Sequence, residues 1–308
     1  MTVLNWFDQA SRYQAKLDPE GLVVWLLGPA VRFHGWLDTR TLPFPGDPDR
    51  TCDTVARLSE AASPEVPWAV PLEFQLRPDD QMFGRYLQYL GRLWMELRPH
   101  GRGQHYQVAA GLVNLTGVGN ASQDFSLGGR ARTLLQVAEI NLATLDAAAT
   151  LQGIAAGTIT RALLPWIVLM RGGGESSNIE QWKQIAQTEP DPRRRSDYGG
   201  VALIYAEQTA WQNNWDKALE GWNVVESTHV LQWINQGKSE GLKEGLKQGI
   251  TEGRLETLRE TLRVQLEERF GPLPQNMADR IAATNDVELL RAAVRQVVHI
   301  QQRDELQL

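Results

Sequence analysis

The sequence predicts a mixed α/β fold in the first half of the chain and an almost entirely helical second half. Strand-like alternation of apolar residues occurs at 52–58 and 68–76, and helical spacing follows at 79–97. From about residue 145 onward, apolar residues recur at helical spacing almost throughout. This order is typical of a mixed sheet with helices packed on it, followed by a helical region.

The first helical pattern covers residues 5–27 and is interrupted at Asp18-Pro19. Asp18 can cap a second helix, and Pro19 then takes the first helical position, where proline is favoured. After a turn-rich segment at 39–50, the strand candidates CDTVARL and WAVPLEFQL are joined into a hairpin by the connection SEAASPEVP. Pro71 has no backbone N–H for a sheet ladder, so we expect a bulge or an unpaired side there.

The helix predicted at 79–97 takes Asp79 or Asp80 as its cap. Its apolar residues at helical spacing are Phe83, Leu87, Leu90, Trp94 and Leu97. Strand-like patterns follow at 106–117 and 132–142. We therefore expect one face of this helix to pack on the sheet.

A change of pattern near residue 143 predicts the domain organisation. It separates a mixed domain over 1–142 from a helical region over 143–236, in which glycine runs at 171–174 and 198–200 mark breaks. The remaining residues, 237–308, predict a glycine-repeat helix and a C-terminal helical hairpin.

The glycine repeat places Gly at 237, 241, 245, 249 and 253. Positions four apart lie on nearly the same helical face, so these glycines form a smooth ridge that favours close helix pairing. Each glycine also costs about 1 kcal/mol relative to alanine inside a helix. The segment is therefore either a self-associating helix, which would make a homo-oligomer through 237–270, or a frayed tether.

Composition excludes several function classes. A single cysteine, Cys52, excludes disulfides within the chain and argues against a Cys-rich zinc site, which fits a reducing cytoplasmic setting. The apolar runs are shorter than the roughly 20 residues that span a bilayer, so no membrane partner is expected. A net charge of −6 argues against indiscriminate nucleic-acid binding, although a local basic surface could still bind DNA. The sequence contains no GxxxxGK[ST] motif, which argues against a P-loop ATPase.

The stretch PLEFQLRPDDQ carries the candidate site. In a strand, Glu73 and Gln75 point to one side, where a buried carboxylate costs several kcal/mol unless it is paired. If the two strand candidates form a hairpin, Asp53 can converge with both, giving an oxygen-rich site for a hard divalent ion. Alternatively, Asp53 closes the preceding turn and Glu73 forms an ion pair with Arg57 or Arg77.

Several short motifs resemble one nuclease family. They are PDRTCDTVARL, PLEFQLRPDDQMFGRYLQYLGRLWMEL, LPWIVLMRGGGE, EPDPRRRSDYGG, ALEGWNVVES, and the tail LEERFGPLP after the glycine repeat. In this order they resemble the recombination-promoting, transposase-like nucleases, a branch of the PD-(D/E)xK superfamily, over most of the chain. The resemblance implies a restriction-endonuclease-like sheet and metal-dependent DNA endonuclease activity in recombination, transposition or defence. It assigns Asp53 and Glu73 as ligands of Mg²⁺ or another divalent cation such as Mn²⁺, and Gln75 as the third active-site residue.

The third position departs from the wider superfamily, in which lysine is common. Gln75 can orient a water molecule but supplies no charge, so activity could be weak or more dependent on metal. Arg77, Arg85 and Arg92 are candidate DNA contacts, or solvent-facing arginines of an amphipathic helix. The alternative function is a catalytically inactive, nuclease-like interaction protein that assembles through its C-terminal helix.

Overall fold

The computed structural model describes residues 6–38, 54–99, 104–222, 249, 251–302 and 305–306. The chain divides into two compact units, Met1–Ile234 and Asn235–Leu308. Residue 143, where the sequence pattern changes, lies inside the first unit. The second unit begins two residues before the predicted start at 237.

A mixed sheet forms the centre of the first unit, in the strand order β1-β2-β3-β5-β8. The strands are β1 (Val31–Leu37), β2 (Val55–Glu60), β3 (Ser63–Gln75), β4 (Gln107–Val108), β5 (Gly111–Asn114) and β8 (Ala138–Asn141), with β4 beside the first half of β3. β1, β2 and β3 are antiparallel neighbours, whereas β3, β5 and β8 run parallel. A separate hairpin consists of β6 (Gln123–Leu127) and β7 (Ala131–Leu135).

The predicted hairpin is present, but its connection is shorter than the sequence indicates. β2 ends at Glu60 and β3 begins at Ser63, so most of SEAASPEVP is strand rather than loop. The sequence analysis also assigns no strand to Val31–Leu37, which pairs with β2.

Pro71 lies where the parallel side of β3 is interrupted. β4 pairs with β3 at Trp68 and Ala69, and β5 pairs with it from Leu72 onward. The N–H of Leu72 donates to the carbonyl of Thr54 on the antiparallel side. Since successive N–H groups of a strand point to opposite sides, the nitrogen of Pro71 faces the interruption, where no ladder donor is required.

Seven helices complete the described part of the first unit. They are α1 (Trp6–Leu17), α2 (Pro19–Leu27), α3 (Met82–Glu96), α4 (Ala147–Ala155), α5 (Ser176–Gln187), α6 (Pro192–Ala206) and α7 (Gln212–Ala218), with 3₁₀ segments at Leu142–Thr144 and Arg161–Leu169. As predicted, Asp18 caps α2, because its Oδ1 accepts from the N–H of Gly21 at 3.0 Å. The mixed α/β class with helices flanking a mixed sheet is therefore confirmed.

The predicted break at 198–200 is wrong, because these residues lie inside α6. A Cβ at Gly199 would lie only 2.5 Å from the ring of Trp222, whose Nε1 donates to the carbonyl of Arg195. Gly199 therefore serves close packing inside the helix rather than a turn.

The two faces of the sheet have separate apolar clusters. On one face Val70, Leu72 and Phe74 join a cluster that includes Trp166 and Tyr205, from chain positions beyond 143. On the other face Ala69 and Leu112 join a cluster with α3. The core thus combines residues from both sides of the predicted 143 boundary.

Helix α3 begins later than the sequence predicts, and its buried face is shifted around the helix. Phe83, Leu90 and Leu97 of the predicted face are partly buried against the sheet cluster. Its first residue is Met82 after Gln81, while Asp79 accepts from the N–H of Gln81 instead of capping the helix. The buried residues are Met82, Tyr86, Tyr89 and Leu93. Leu87 and Trp94, assigned to the apolar face, are 43% and 47% exposed.

Within the residues of the second unit that the structure describes, three helices pack around a core of their own. α8 covers residues 251–270, α9 covers Gln275–Ala283 and α10 covers Val287–Val297. Buried residues from all three helices include Leu262, Leu266, Ile281 and Leu290. The glycine repeat lies outside the described residues up to 248, and its last part, from residue 251, is helical.

None of the helices that the structure describes combines the length and apolar character needed to cross a membrane.

Candidate functional site

Glu73 and Gln75 lie near the C-terminal end of β3, on the sheet face that α3 covers. Their neighbours Leu72 and Phe74, only 2% and 5% exposed, point into the core of the opposite face. The alternation predicted from the sequence is therefore correct. Gln75 is buried and Glu73 is partly exposed.

The partner of Glu73 that the structure describes is Arg85 of α3. Arg85 Nη2 lies 3.7 Å from Glu73 Oε2, and the Glu73 side chain is 17% exposed. The partners weighed from the sequence lie elsewhere: Arg57 donates to the carbonyl of His34, and Arg77 is exposed. The carboxylate thus has a counterion from the covering helix.

Arg85 makes two further contacts, one with Asp79 just before α3 and one with Tyr89 one turn further along the helix. Nη1 lies 3.2 Å from Asp79 Oδ2, and Nη2 donates to the hydroxyl of Tyr89 at 3.2 Å. Burial on its own lowers the pKa of the Arg85 guanidinium, but the hydrogen bond to Tyr89 and the charge of Glu73 raise it, and the net pKa shift is upward. Arg85 is therefore a permanent positive charge beside Glu73.

The orientation of the Gln75 amide is set by the turn that follows β3. Gln75 Oε1 accepts from the backbone N–H of Asp79 at 3.1 Å. Because a backbone N–H can only donate, the atom that it meets must be the amide oxygen. The Nε2 end of Gln75, with its two N–H donors, is therefore available for another acceptor.

Polar side chains continue across the sheet in a row at the C-terminal ends of the parallel strands. Gln75 pairs in register with Asn114 of β5, and Asn114 pairs with Asn141 of β8. Residues paired in register point to the same side of a sheet, so Glu139 shares this face as well. We call Glu73, Gln75, Asn114, Glu139 and Asn141 the polar row.

The β5 and β8 members of the polar row hold the loop after β5. Asn114 Nδ2 donates to Glu139 Oε1 at 2.6 Å and to Asn141 Oδ1 at 2.8 Å. The same two side chains accept from the backbone N–H groups of Ala121 and Gly119. These contacts tie the loop to the sheet, and they explain why a carboxylate and two amides lie together.

The sequence analysis misses these three residues of the polar row. The motif AEIN, which contains Glu139 and Asn141, repeats the acid-x-amide pattern of LEFQ, which contains Glu73 and Gln75. This repetition is the signal that could have found two of them. Asn114 in GLVN carries no comparable local signal, because its role depends on the pairing of β5 with β8.

Of the remaining sequence-predicted site residues, the structure brings Arg85 to the side chain of Glu73. Asp53 lies outside the described residues. Of the candidate DNA contacts, Arg85 is turned toward Glu73, while Arg92 pairs with Glu96 one turn further along α3 at 3.3 Å. Arg77 is exposed just after β3.

The oxygen donors of this face suit a hard divalent ion in type, but the described part is incomplete as a metal site. No group of three or more His, Cys, Asp or Glu side chains that could hold an ion occurs within the described residues. Glu73 provides one partly exposed carboxylate, and carboxylate oxygen is the ligand that Mg²⁺ and Mn²⁺ prefer. Its assigned co-ligand is Asp53.

Comparisons with known proteins give no match: no protein-family model, no curated protein and no solved structure matches the chain.

Proposed function

We propose that the chain is a metal-dependent DNA endonuclease whose site is formed by Asp53, Glu73 and Gln75. The observation that carries the proposal is that the side chains of Glu73 and Gln75 lie on the same face of the sheet at the end of β3. There Glu73 lies beside a cation, and the Nε2 donors of Gln75 are left available. An acid and an oriented amide two residues apart suit a phosphodiester bound through a metal ion.

The register of the hairpin supports including Asp53. β2 and β3 are antiparallel, and Val55 pairs with Pro71. Asp53 lies two residues before Val55, and Glu73 lies two residues after Pro71. The two acids are therefore at equal distances along the chain from the Val55–Pro71 pair. An antiparallel ladder that continued two residues beyond this pair would set the two positions opposite each other.

The order of elements supports a restriction-endonuclease-like sheet, as the resemblance implies. Helix α2 precedes the antiparallel strands β1, β2 and β3, then α3 covers one face, and β5 returns parallel to β3. Glu73 lies near the C-terminal end of β3, and its side chain is 17% exposed.

Each residue of the site has a separate role in the proposed reaction. Asp53 and Glu73 hold Mg²⁺ or Mn²⁺ through carboxylate oxygens. The ion, when bound, lowers the pKa of a water molecule and polarises the phosphate. Gln75 donates from Nε2 to the oxygen of the attacking water and so orients it toward phosphorus. Arg77, exposed just after β3, is available for the DNA backbone.

The test is cleavage of supercoiled plasmid DNA by the full chain with Mg²⁺, with Mn²⁺ or with EDTA. Cleavage should require a metal ion, and Glu73→Gln and Asp53→Asn should each abolish it while the variants remain folded. The matched control is Glu65→Gln, since Glu65 is an exposed acid on the same strand. It lies eight residues, or about 27 Å, from Glu73. Cleavage that survives in the Glu73 and Asp53 variants would refute the assignment.

A second candidate function is an inactive, nuclease-like interaction protein that self-associates through residues 237–270. The observation that favours it is the ion pair between Glu73 and Arg85, because this pair satisfies the carboxylate without a metal ion. The two candidates differ in metal linkage. A competent site should raise the thermal unfolding temperature in Mn²⁺, whereas an inactive one should not.

A further inference from the structure

One guanidinium nitrogen of Arg85 is buried and has no hydrogen-bond partner among the described residues. Nη1 is bonded to Asp79, and Nη2 lies against Tyr89 and Glu73. Nε is buried and has no hydrogen-bond partner within the described part of the chain. A buried N–H without an acceptor costs about 1–3 kcal/mol, so an acceptor is expected to meet it in the working protein.

We propose that Arg85 is a catalytic residue that binds a non-bridging oxygen of the scissile phosphate and supplies the charge that Gln75 lacks. This inference rests on the proposed nuclease function. The guanidinium presents its donors in a rigid planar fork that matches phosphate geometry, and its charge persists at every working pH. A phosphate beside Glu73 lies within reach, because Nη2 is only 3.7 Å from the Glu73 carboxylate.

The reaction in which Arg85 takes part is hydrolysis. The water oxygen forms a bond to phosphorus while the bond from phosphorus to one ester oxygen breaks. One proton of the water passes to solvent, and the leaving oxygen takes a proton from solvent. Arg85 stabilises the negative charge that grows on the non-bridging oxygen, and it neither gives nor takes a proton.

The same position makes Arg85 a competitor of the metal ion. Both cations are drawn to the Glu73 carboxylate, so removing the arginine charge strengthens metal binding even though it weakens catalysis. A residue that only packs α3 against the sheet would not produce these opposite effects, because its loss would weaken folding, metal binding and cleavage together.

The test uses the full chain as parent, Arg85→Gln and Arg85→Lys, with Arg132→Gln as control. Arg132 lies on the exposed β6–β7 hairpin, where it pairs with Asp124. Two quantities are measured for each protein: the apparent Kd of Mn²⁺ from the shift in thermal unfolding, and the single-turnover cleavage rate at saturating Mn²⁺.

Arg85→Gln should bind Mn²⁺ several-fold more tightly and cleave about 100-fold more slowly, the usual cost of one lost donor to a developing oxyanion. Arg85→Lys keeps the charge without the fork and should retain an intermediate rate. If the parent cleaves DNA and Arg85→Gln cleaves it at the same rate, the proposed role of Arg85 is wrong, but the nuclease function is not. Mn²⁺ binding that weakens or stays unchanged in Arg85→Gln overturns that role too. A parent that cuts under no condition overturns the nuclease function as well.

Discussion

The amide of Asn114 provides the sharpest test of how the polar row is organised. Asn114 is fully buried, and its Nδ2 donates to both Glu139 and Asn141. Replacement by alanine removes both donors and leaves the two acceptors of β8 without them. Replacement by aspartate keeps the shape but puts an oxygen where the donor was.

The magnitudes follow from these contacts. A hydrogen bond to a charged group contributes about 1.5–3 kcal/mol and a neutral one about 1 kcal/mol, so Asn114→Ala should destabilise the first unit by about 2.5–4 kcal/mol. Asn114→Asp should cost more at pH 7.5, because a carboxylate oxygen would then face Glu139 Oε1 across the present 2.6 Å distance. Like charges this close force one carboxyl to take up a proton.

The sign of the pH dependence follows from that proton. The folded-state pKa of the introduced carboxyl is raised above its unfolded value of about 3.9, so its penalty is absent below that value and grows as pH rises toward the folded pKa. Asn114→Asp should therefore be less stable than Asn114→Ala at pH 7.5, and this gap should narrow or reverse near pH 4.5.

The assay is equilibrium urea unfolding in EDTA, followed by tryptophan fluorescence. All eleven tryptophans precede residue 235, so the signal reports the first unit alone. The reasoning fails if Asn114→Asp matches the parent at pH 7.5. It also fails if the difference between the two variants does not change with pH.

Two further predictions concern packing and burial elsewhere in the first unit. Gly199→Ala should destabilise it by about 1–3 kcal/mol, because the new methyl group would meet the ring of Trp222 at 2.5 Å. Gly84→Ala, at an open position of α3, should instead stabilise the first unit by about 0.5–1 kcal/mol. Urea unfolding measures both changes, and equal effects of the two substitutions on the unfolding free energy would contradict the prediction. Tyr13 donates to the buried carboxylate of Asp197 at 2.6 Å, and burial and this hydrogen bond raise the pKa of its hydroxyl. The stability that this raised pKa contributes is complete below about pH 10 and is lost as pH rises further, so Tyr13→Phe should flatten the alkaline fall in unfolding free energy.

What the sequence predicts well is local. The alternation of Leu72, Glu73, Phe74 and Gln75 between two faces depends only on strand geometry, and it is correct. The cap at Asp18 is likewise a contact within a single turn. Such features need no knowledge of which elements meet.

The rotation of α3 could not be predicted in the same way. The predicted apolar face includes the exposed Leu87 and Trp94 beside Phe83, Leu90 and Leu97, whereas the fully packed residues include Tyr86 and Tyr89. Tyrosine can be buried when its hydroxyl finds a partner, and Tyr86 donates to the carbonyl of Gly111 at 2.7 Å. That partner lies on β5, so the choice of face depends on a contact between distant parts of the chain.

This rotation also explains why the sequence predicts Arg85 as a DNA contact or a solvent-facing arginine and not as the partner of Glu73. Arg85 lies one turn before Tyr89, and once Tyr89 is buried its neighbour on the helix face is brought to the edge of the site. The alternation of residues along β3 therefore cannot predict that Arg85 is a partner of Glu73. This contact follows from the side of α3 that meets the sheet.

Some residues of the polar row stabilise the loop after β5, and others are suited to the proposed reaction. Asn114, Glu139 and Asn141 bond to one another and to backbone N–H groups of the loop, contacts that reaction would have to break. Glu73 instead faces a long arginine side chain, and Gln75 uses only its oxygen on the backbone. An arginine side chain can change rotamer without unfolding the sheet, whereas the loop contacts cannot be exchanged for a ligand at so small a cost. The β3 members of the row are therefore the ones suited to bind a metal ion and a phosphate.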